Sequence, residues 1–403
     1  MSIVEDPEEP NLLFLGTDDG LYVSIDKGTI WTKWTEGFPT VPVKDLVIHP
    51  REQDLVIGTF GRAAWVLDDI RPLRAIAKDQ NILQRTVHLF DPPTAYQAAY
   101  QQPTGSRFGG DALYNGENRK SGARFSYYLN VKEIDTTAVK DEAKKDTLTE
   151  VKWDSLQLQL FDGERLIRTL KQKAPEESGM HSWKWNMDEK GVEWPSRKIR
   201  KLTREPSGVQ VIPGTYRAVL SYGNQRSETQ IEVQSDPRIQ YNAIAVKAVY
   251  EASKAFEQLQ KVTADAVKQL VESNTIASEF SEQLSEKDKT LHKDAIKSCE
   301  EITKKIDTLL ALYFGKEDKR QGITSDPEVS VTERIGTALS YIRSRKSGLT
   351  DTERSLIKQA KTAIDSALSA TNRFFENDCK AFKTEMETKD LSPFKTTKTF
   401  ELK

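Results

Sequence analysis

The sequence is poor in the residues that metal and redox sites use. Its 403 residues include only two cysteines and four histidines. The histidines lie far from each other and from both cysteines, so no zinc-ligand spacing is present; they are His49, His88, His181 and His292. Cys299 and Cys379 fall in segments with helical patterning, which predicts buried thiols, with a disulfide as the alternative. We therefore expect no metal and no cofactor.

Long apolar runs and charge of one sign are lacking too. No stretch approaches the roughly 18 apolar residues of a membrane span, and the acidic start at Glu5 and Asp6 is unlike a secretory signal. Lys and Arg number 59 against 61 Asp and Glu, a net charge of −2, so no general affinity for nucleic acid is expected. Neither a phosphate-binding loop nor a G-x-S-x-G elbow occurs.

A repeat stands near the N-terminus. Residues 3–17 and 46–59 share an apolar run, a proline turn and a second apolar run ending in Gly-Thr. The period of about 42 residues, from Gly16 to Gly58, is typical of the four-stranded blades of a β-propeller. We expect strands over 12–16, 21–25, 55–59 and 63–67. Because a propeller needs about four to eight blades, residues 1–73 would supply terminal blades only.

The segment 24–31, SIDKGTIW, follows the first copy. It resembles the Asp-box of BNR-repeat propellers, S-x-D-x-G-x-T-W. We expect Asp26 to accept hydrogen bonds from nearby amides, Gly28 to supply a backbone angle that other residues resist, and Trp31 to pack between blades. Ser24 is the fourth residue of the pattern for which we expect a structural role. The acid pairs 18–19 and 68–69 are expected to be turn residues, with a calcium site as the alternative.

The middle of the chain is predicted to be β-structure after a connector. Prolines and glycines break any period through an irregular linker over 74–122. Over 123–236, six or seven short strands with alternating apolar residues favour an immunoglobulin-like β-sandwich. Residues 132–152 read as a charged insertion. Trp183 and Trp185 share one strand face, which favours a place in the core, with a sugar platform as the alternative.

Beyond residue 237 the apolar period becomes helical. Four amphipathic helices are expected over 237–390, packed as an antiparallel four-helix bundle and followed by a tail over 391–403. Gly315 and Gly348 are expected just past the second and third helices, and Thr350 with Glu353 offers a capping box for the fourth. The predicted fold class is thus multidomain β plus α.

Three further segments carry a family resemblance: 58–70 (GTFGRAAWVLDDI), 123–129 (ARFSYYL) and 213–216 (PGTY). Together with the Asp-box they resemble the C-terminal region of large BNR-repeat proteins. These are exported bacterial proteins, frequent in Bacteroidetes, often labelled sortilin-like or glycosyl hydrolase. The resemblance implies an extracellular, periplasmic or cell-surface location and a propeller completed by a second chain or by a missing N-terminal portion.

Three functions remain open at this stage. The first is a non-catalytic interaction or assembly scaffold with a protein partner. The second is a glycan-binding or glycoside-hydrolase-like protein, for which Arg62, Trp65 and Trp34 are the candidate ligand contacts; Arg71 and Tyr22 have sialidase residue types, but their spacing identifies no site. The third is a sortilin-like receptor that binds peptides at a blade edge.

Overall fold

The chain has a mixed β plus α fold. The computed structural model describes residues 1–98, 121–131, 154–199, 201–288, 290–316, 329–345 and 348–388. It contains several small antiparallel sheets, one curled half-barrel sheet and a C-terminal helical region. The chain divides into two compact units, Met1–Lys190 with Gln210–Tyr241, and Gly191–Val209 with Asn242–Lys403. The predicted fold class is confirmed at this level.

Two small sheets occupy the region of the sequence repeat. The first has the order β1(Ser2–Glu5), β2(Leu13–Thr17), β3(Gly20–Ser24), β4(Thr32–Lys33), and the second has the order β5(Val43–Ile48), β6(Leu55–Thr59), β7(Ala64–Leu67). All neighbouring strands in both sheets are antiparallel. The four predicted strands therefore exist, and each sheet adds a strand before its repeat hairpin.

One apolar core joins the two sheets. It contains Phe14 and Leu21 from the first sheet and Leu55 and Ile57 from the second. The sheets approach closely because Gly16 has no side chain: a Cβ there would lie 2.5 Å from Cγ1 of Val43. That distance is below any ordinary contact, so the glycine is needed at this contact between the sheets.

A buried ion pair fastens the helix after the second sheet, α1(Arg71–Lys78), to the first sheet. Nε of Arg74 donates to Oδ1 of Asp6 at 2.8 Å, and Nη2 donates to Oδ2 at 2.6 Å. The carboxylate also accepts from the amides of Glu8 and Glu9, which helps to compensate its burial. The pair ties residue 6 to residue 74, one residue past the predicted end of the blades at 73.

The prediction of an irregular linker over 74–122 is wrong for residues 74–98. That stretch contains the end of α1, a 3-10 turn over Gln80–Gln84, and the strands β8(Val87–Leu89) and β9(Ala95–Gln97). β8 pairs with a strand of the following region, and β9 pairs in parallel with its last strand. These strands are three residues long, too short for a periodic signal. Residues 99–120 lie outside the described residues.

The second β region of the first unit contains β10(Ala123–Leu129), β11(Ser155–Asp162), β12(Arg165–Lys173), β13(Gly179–Trp185), β14(Asp188–Lys190), β16(Gly214–Tyr222) and β17(Gln225–Ser235). The short strand β15(Ser207–Gln210) begins in the segment that belongs to the second unit. One sheet has the order β13-β10-β8 and another the order β12-β11-β16-β17-β9. Their shared core includes Phe125, Leu158, Trp185 and Leu220. The charged insertion 132–152 lies outside the described residues.

The second unit is helical. Its helices are α2(Ala243–Asp288), α3(Lys293–Phe314), α4(Val331–Ser344), α5(Asp351–Arg373) and α6(Lys380–Thr388), the last two joined by a π-helical turn over Phe374–Cys379. One core cluster draws on all of α2 to α5 and includes Phe256, Ile306, Ile335 and Ile364. No described helix is both long enough and apolar enough to span a membrane. The predicted tail over 391–403 lies outside the described residues.

The helix boundaries follow the chemistry of their end residues. Gly315 follows α3 with φ +77°, and Thr350 with Glu353 forms the predicted capping box of α5. The hydroxyl of Thr350 and the guanidinium of Arg345 donate to Glu353, and these bonds lower its pKa to about 2. The prediction that Gly348 ends the third helix is wrong, because Arg345 is the C-cap of α4. Ser330 and Glu333 form a second capping box, whose S-x-x-E signal the sequence also carries.

The segment Gly191–Val209, which the sequence assigned to the sandwich, belongs to the helical unit. The side-chain amide of Gln260 on α2 donates to the carbonyls of residues 192 and 193 at 3.4 and 3.2 Å. Arg197 donates to the carbonyl of Gly315 and lies 4.9 Å from the ring centroid of Phe314. Polar and cation–π contacts fix the segment on the helices, so hydrophobic periodicity gave no signal for it.

Candidate functional site

The turn over residues 24–31 has the hydrogen bonds that its sequence predicts. Oδ1 of Asp26 accepts from the amide of Ile30 at 2.9 Å and from Oγ of Ser24 at 2.7 Å. Oγ of Ser24 accepts in turn from the amide of Gly28 at 2.9 Å, and Gly28 has φ +84°. The pKa of Asp26 is lowered, chiefly by the bond from Ile30 and then by that from Ser24. The carboxylate is occupied by its own turn, as a structural role requires.

Trp31 lies beside Gly28 and Leu13, and its packing between blades stays a prediction. A Cβ on Gly28 would lie 3.5 Å from Cζ2 of Trp31 and 3.6 Å from Cδ1 of Leu13. Leu13 is next in sequence to Phe14, and adjacent strand residues point to opposite faces. Since Phe14 lies in the core between the two sheets, the indole lies on the face of the first sheet turned away from the second. Trp31 therefore does not pack between these two sheets.

Removing the hydroxyl of Ser24 tests the structural role of the turn. We expect Ser24→Ala to lower the free energy of unfolding by about 1–3 kcal/mol, because the amide of Gly28 and the carboxylate of Asp26 lose their bonds to a buried hydroxyl. The measurement is denaturant unfolding followed by tryptophan fluorescence. Thr29→Ala is the control, because its exposed hydroxyl donates a single bond to the carbonyl of Asp26. Equal losses in the two variants would contradict the role given to Ser24.

The three candidate ligand contacts do not form one site. Arg62 is exposed, and its carbonyl accepts from Nε1 of Trp65 at 3.0 Å. The Trp65 ring packs into the core between the sheets, edge-on to Phe38 at 5.5 Å. Trp34 packs against the same core, and its Nε1 donates to the carbonyl of Glu36. Both indoles are partly buried against this core, so part of each ring is used for packing.

The other groups considered for catalysis are also paired. The hydroxyl of Tyr22 donates to Asp19 at 3.0 Å, and Nη1 of Arg71 lies 2.7 Å from Oδ1 of Asp69. Asp69 is buried and also lies 3.5 Å from Nη2 of Arg124. These contacts stabilise turns and the join between β-regions.

The acid pairs do not form a cation site. Lys44 bonds to Asp18 and Lys33 bonds to Asp19, and in each case the lysine is the largest cause of a lowered carboxyl pKa. Among the described residues no group of His, Cys, Asp and Glu is arranged to hold a metal ion.

Both cysteines are free. Cys299 is buried, as predicted. Cys379 is half-buried, and burial raises the pKa of its thiol.

An apolar row lies on one face of the second sheet. Val47, Val56 and Val66 stand directly opposite one another on its three strands. We call these three residues the open row. Val47 is 54% exposed and Val66 is 55% exposed. Isolated exposed valines are ordinary, whereas neighbouring ones form a contiguous apolar patch, the kind of surface at which contacts are made.

The first sheet has the same row in a different environment. Val4, Phe14 and Val23 are cross-strand neighbours there, and we call them the covered row. Phe14 matches Val56 because each lies two residues before the Gly-Thr that ends its repeat strand. Phe14 has no exposed surface and Val23 has 8%, because the second sheet packs on them. Two of the three residues in the covered row are buried, whereas two of the three in the open row are more than half exposed, and sequence alone could not reveal this difference.

No family model matches the chain, and neither the curated proteins nor the solved structures provide a match.

Proposed function

We propose that the chain is a non-catalytic interaction or assembly scaffold whose first two sheets are blades of a larger β-propeller. The open row carries this proposal: it is an apolar sheet face of the kind that neighbouring blades bury in each other. The resemblance to BNR-repeat proteins supports the same conclusion. It also supports an exported protein at the cell surface, in the periplasm or outside the cell. A second chain, or a further part of a longer polypeptide, would supply the covering sheet.

The β-regions beyond the repeat fit a supporting role. We propose an immunoglobulin-like sandwich for the region of β8 to β17 and a four-helix bundle for α2 to α6. The shared core of the β-region, with Trp185 fully buried, supports the first assignment. The single core of α2 to α5 supports the second. In this proposal both regions are rigid bodies that accompany the blades.

Peptide capture is the second candidate function, and one observation favours it. β7 is the edge strand of a three-stranded sheet, whereas the matching sheet has four strands. An edge strand presents unpaired backbone groups to which an extended peptide can add. The strand is four residues long, so such binding would be weak without contacts to side chains. The glycan alternative has less support because Trp34 and Trp65 are engaged in packing.

Assays on the full chain separate the scaffold from the glycan alternative. We expect no turnover of a fluorogenic sialoside and no saturable binding on a glycan array, because Tyr22 and Arg71, which have sialidase residue types, are each paired with a nearby aspartate. Arg62→Ala is the matched variant, since Arg62 is exposed and its side chain takes part in no described bond to the core. Sialoside turnover that disappears in this variant would overturn the scaffold proposal. Saturable binding without turnover would favour a glycan-binding module.

A further inference from the structure

The contact between the two sheets shows what kind of surface covers such a row. On the second sheet, Leu46, Ile57 and Trp65 are cross-strand neighbours that face the covered row. Leu46 is 5% exposed and Ile57 is 2% exposed. We call these three residues the covering row. The observed interface thus pairs the covered row of one repeat with the covering row of the next.

The first sheet carries its own version of the covering row. Ile3, Leu15 and Tyr22 are cross-strand neighbours. They occupy the same repeat positions as Leu46, Ile57 and Trp65, respectively. We call these three residues the back row. Ile3 is 62% exposed, and Leu15 and Tyr22 are half-buried. One chain therefore presents an open row on one side and, on the other, residues equivalent to those that cover such a row.

The edge of the observed interface supports the same correspondence. An exposed ion pair at 2.7 Å joins Asp18 of the first sheet to Lys44 of the second. Phe60 lies beside the open row, at the repeat position of Asp18. Met1 lies beside the back row, at the repeat position of Lys44. Their side chains are 72% and 86% exposed. A thioether beside an aromatic ring is a favourable contact. At the edge of a contact between two chains, the side chains at these positions would then be apolar. At the edge of the contact between the two sheets of one chain, the side chains at these positions form an ion pair.

We infer that a second copy of this chain covers the open row, placing its back row against Val47, Val56 and Val66. The inference rests on the proposed function and names its partner. The contact repeats an interface already present inside each chain, so it needs no new packing chemistry. Because the two surfaces differ, the association is heterologous and produces closed rings or open filaments. With two sheets in each chain, a ring of about four to eight blades takes about two to four copies.

Sedimentation equilibrium of the full chain tests this partner. The wild-type mass should rise above 45.7 kDa with concentration. Val66→Asp disables the open row and Ile3→Asp disables the back row, and each variant alone should remain a monomer. Both positions are more than half exposed, so neither charge enters the core, and circular dichroism checks that both variants fold. Val47→Asp and Leu15→Asp repeat the test at a second position in each row.

Mixing the two variants distinguishes the two surfaces. The Ile3→Asp chain keeps its open row and the Val66→Asp chain keeps its back row, so an equimolar mixture should form dimers and nothing larger. A wild-type chain that stays at 45.7 kDa at every concentration would overturn the second-copy partner. If the Ile3→Asp chain associated as strongly as the wild-type chain, the back row would not be the covering surface. A chain that stays monomeric does not contradict the scaffold proposal. That proposal is overturned by a different result, sialoside turnover that is lost in Arg62→Ala.

Discussion

Replacing Phe14 by alanine is expected to lower the free energy of unfolding by about 3–5 kcal/mol, the usual cost of truncating a buried aromatic residue. The same replacement at Val56 is expected to cost less than about 1 kcal/mol. The two residues hold the same repeat position, but Phe14 has no exposed surface and Val56 is half-buried. The difference follows from what covers each residue, since both are apolar strand residues.

The Phe14 variant loses more than contact area. Gly16, two residues along the same strand, lets Val43 of the second sheet approach closely, so the sheets have little freedom to close the space left by a missing ring. A cavity between rigid sheets adds to the cost of lost burial. Denaturant unfolding at low protein concentration gives both values for isolated chains. A loss at Val56 as large as that at Phe14 would show that the open row is already buried within the chain.

The second large effect is expected at Trp185. Trp185→Ala should lower the free energy of unfolding by about 3–5 kcal/mol, because the indole is fully buried and meets the ring of Tyr216 edge-on at 5.7 Å. Its Nε1 donates to the carbonyl of Asp188 at 2.8 Å. Trp185→Phe keeps a ring but removes the Nε1 hydrogen bond to that carbonyl. This variant should still cost about 1–3 kcal/mol.

Trp183 is the matched control for Trp185. It lies two residues earlier on the same strand face, pairs with Phe125 and is half-buried against the same core. Trp183→Ala should therefore cost clearly less than Trp185→Ala in the same denaturant experiment. If the order were reversed, the core assignment of Trp185 would be wrong, and the sugar-platform alternative for these two tryptophans would regain support.

Local features of the fold could be predicted from the sequence because local chemistry sets them. The hairpins of the repeat follow from apolar runs that end in Gly-Thr. The bonds of Asp26 and the positive φ of Gly28 follow from residues a few positions apart. The helix boundaries at Gly315 and Thr350 follow from the same short-range rules. In each case the residues that act together are also neighbours in sequence.

Features that depend on distant neighbours could not be predicted. β9 is three residues long and exists because it pairs with β17, far along the chain. The ion pair of Asp6 and Arg74 joins residues that no pattern connects. The open row belongs to the same class, because Val56 and Phe14 carry the same signal in equivalent strands. Which of them is buried depends on a neighbouring sheet, and only the structure shows that neighbour.

The most direct test of the contact surface is the reactivity of a thiol placed in the open row. A Val66→Cys chain is labelled with a water-soluble maleimide at rising protein concentration, and labelled peptides separate residue 66 from Cys299 and Cys379. Lys171→Cys, at an exposed position on β12, is the control. We predict that labelling at 66 slows as concentration rises while labelling at 171 does not change. A rate at 66 that is the same at every concentration would contradict the assignment of the open row as the surface at which copies of this chain meet.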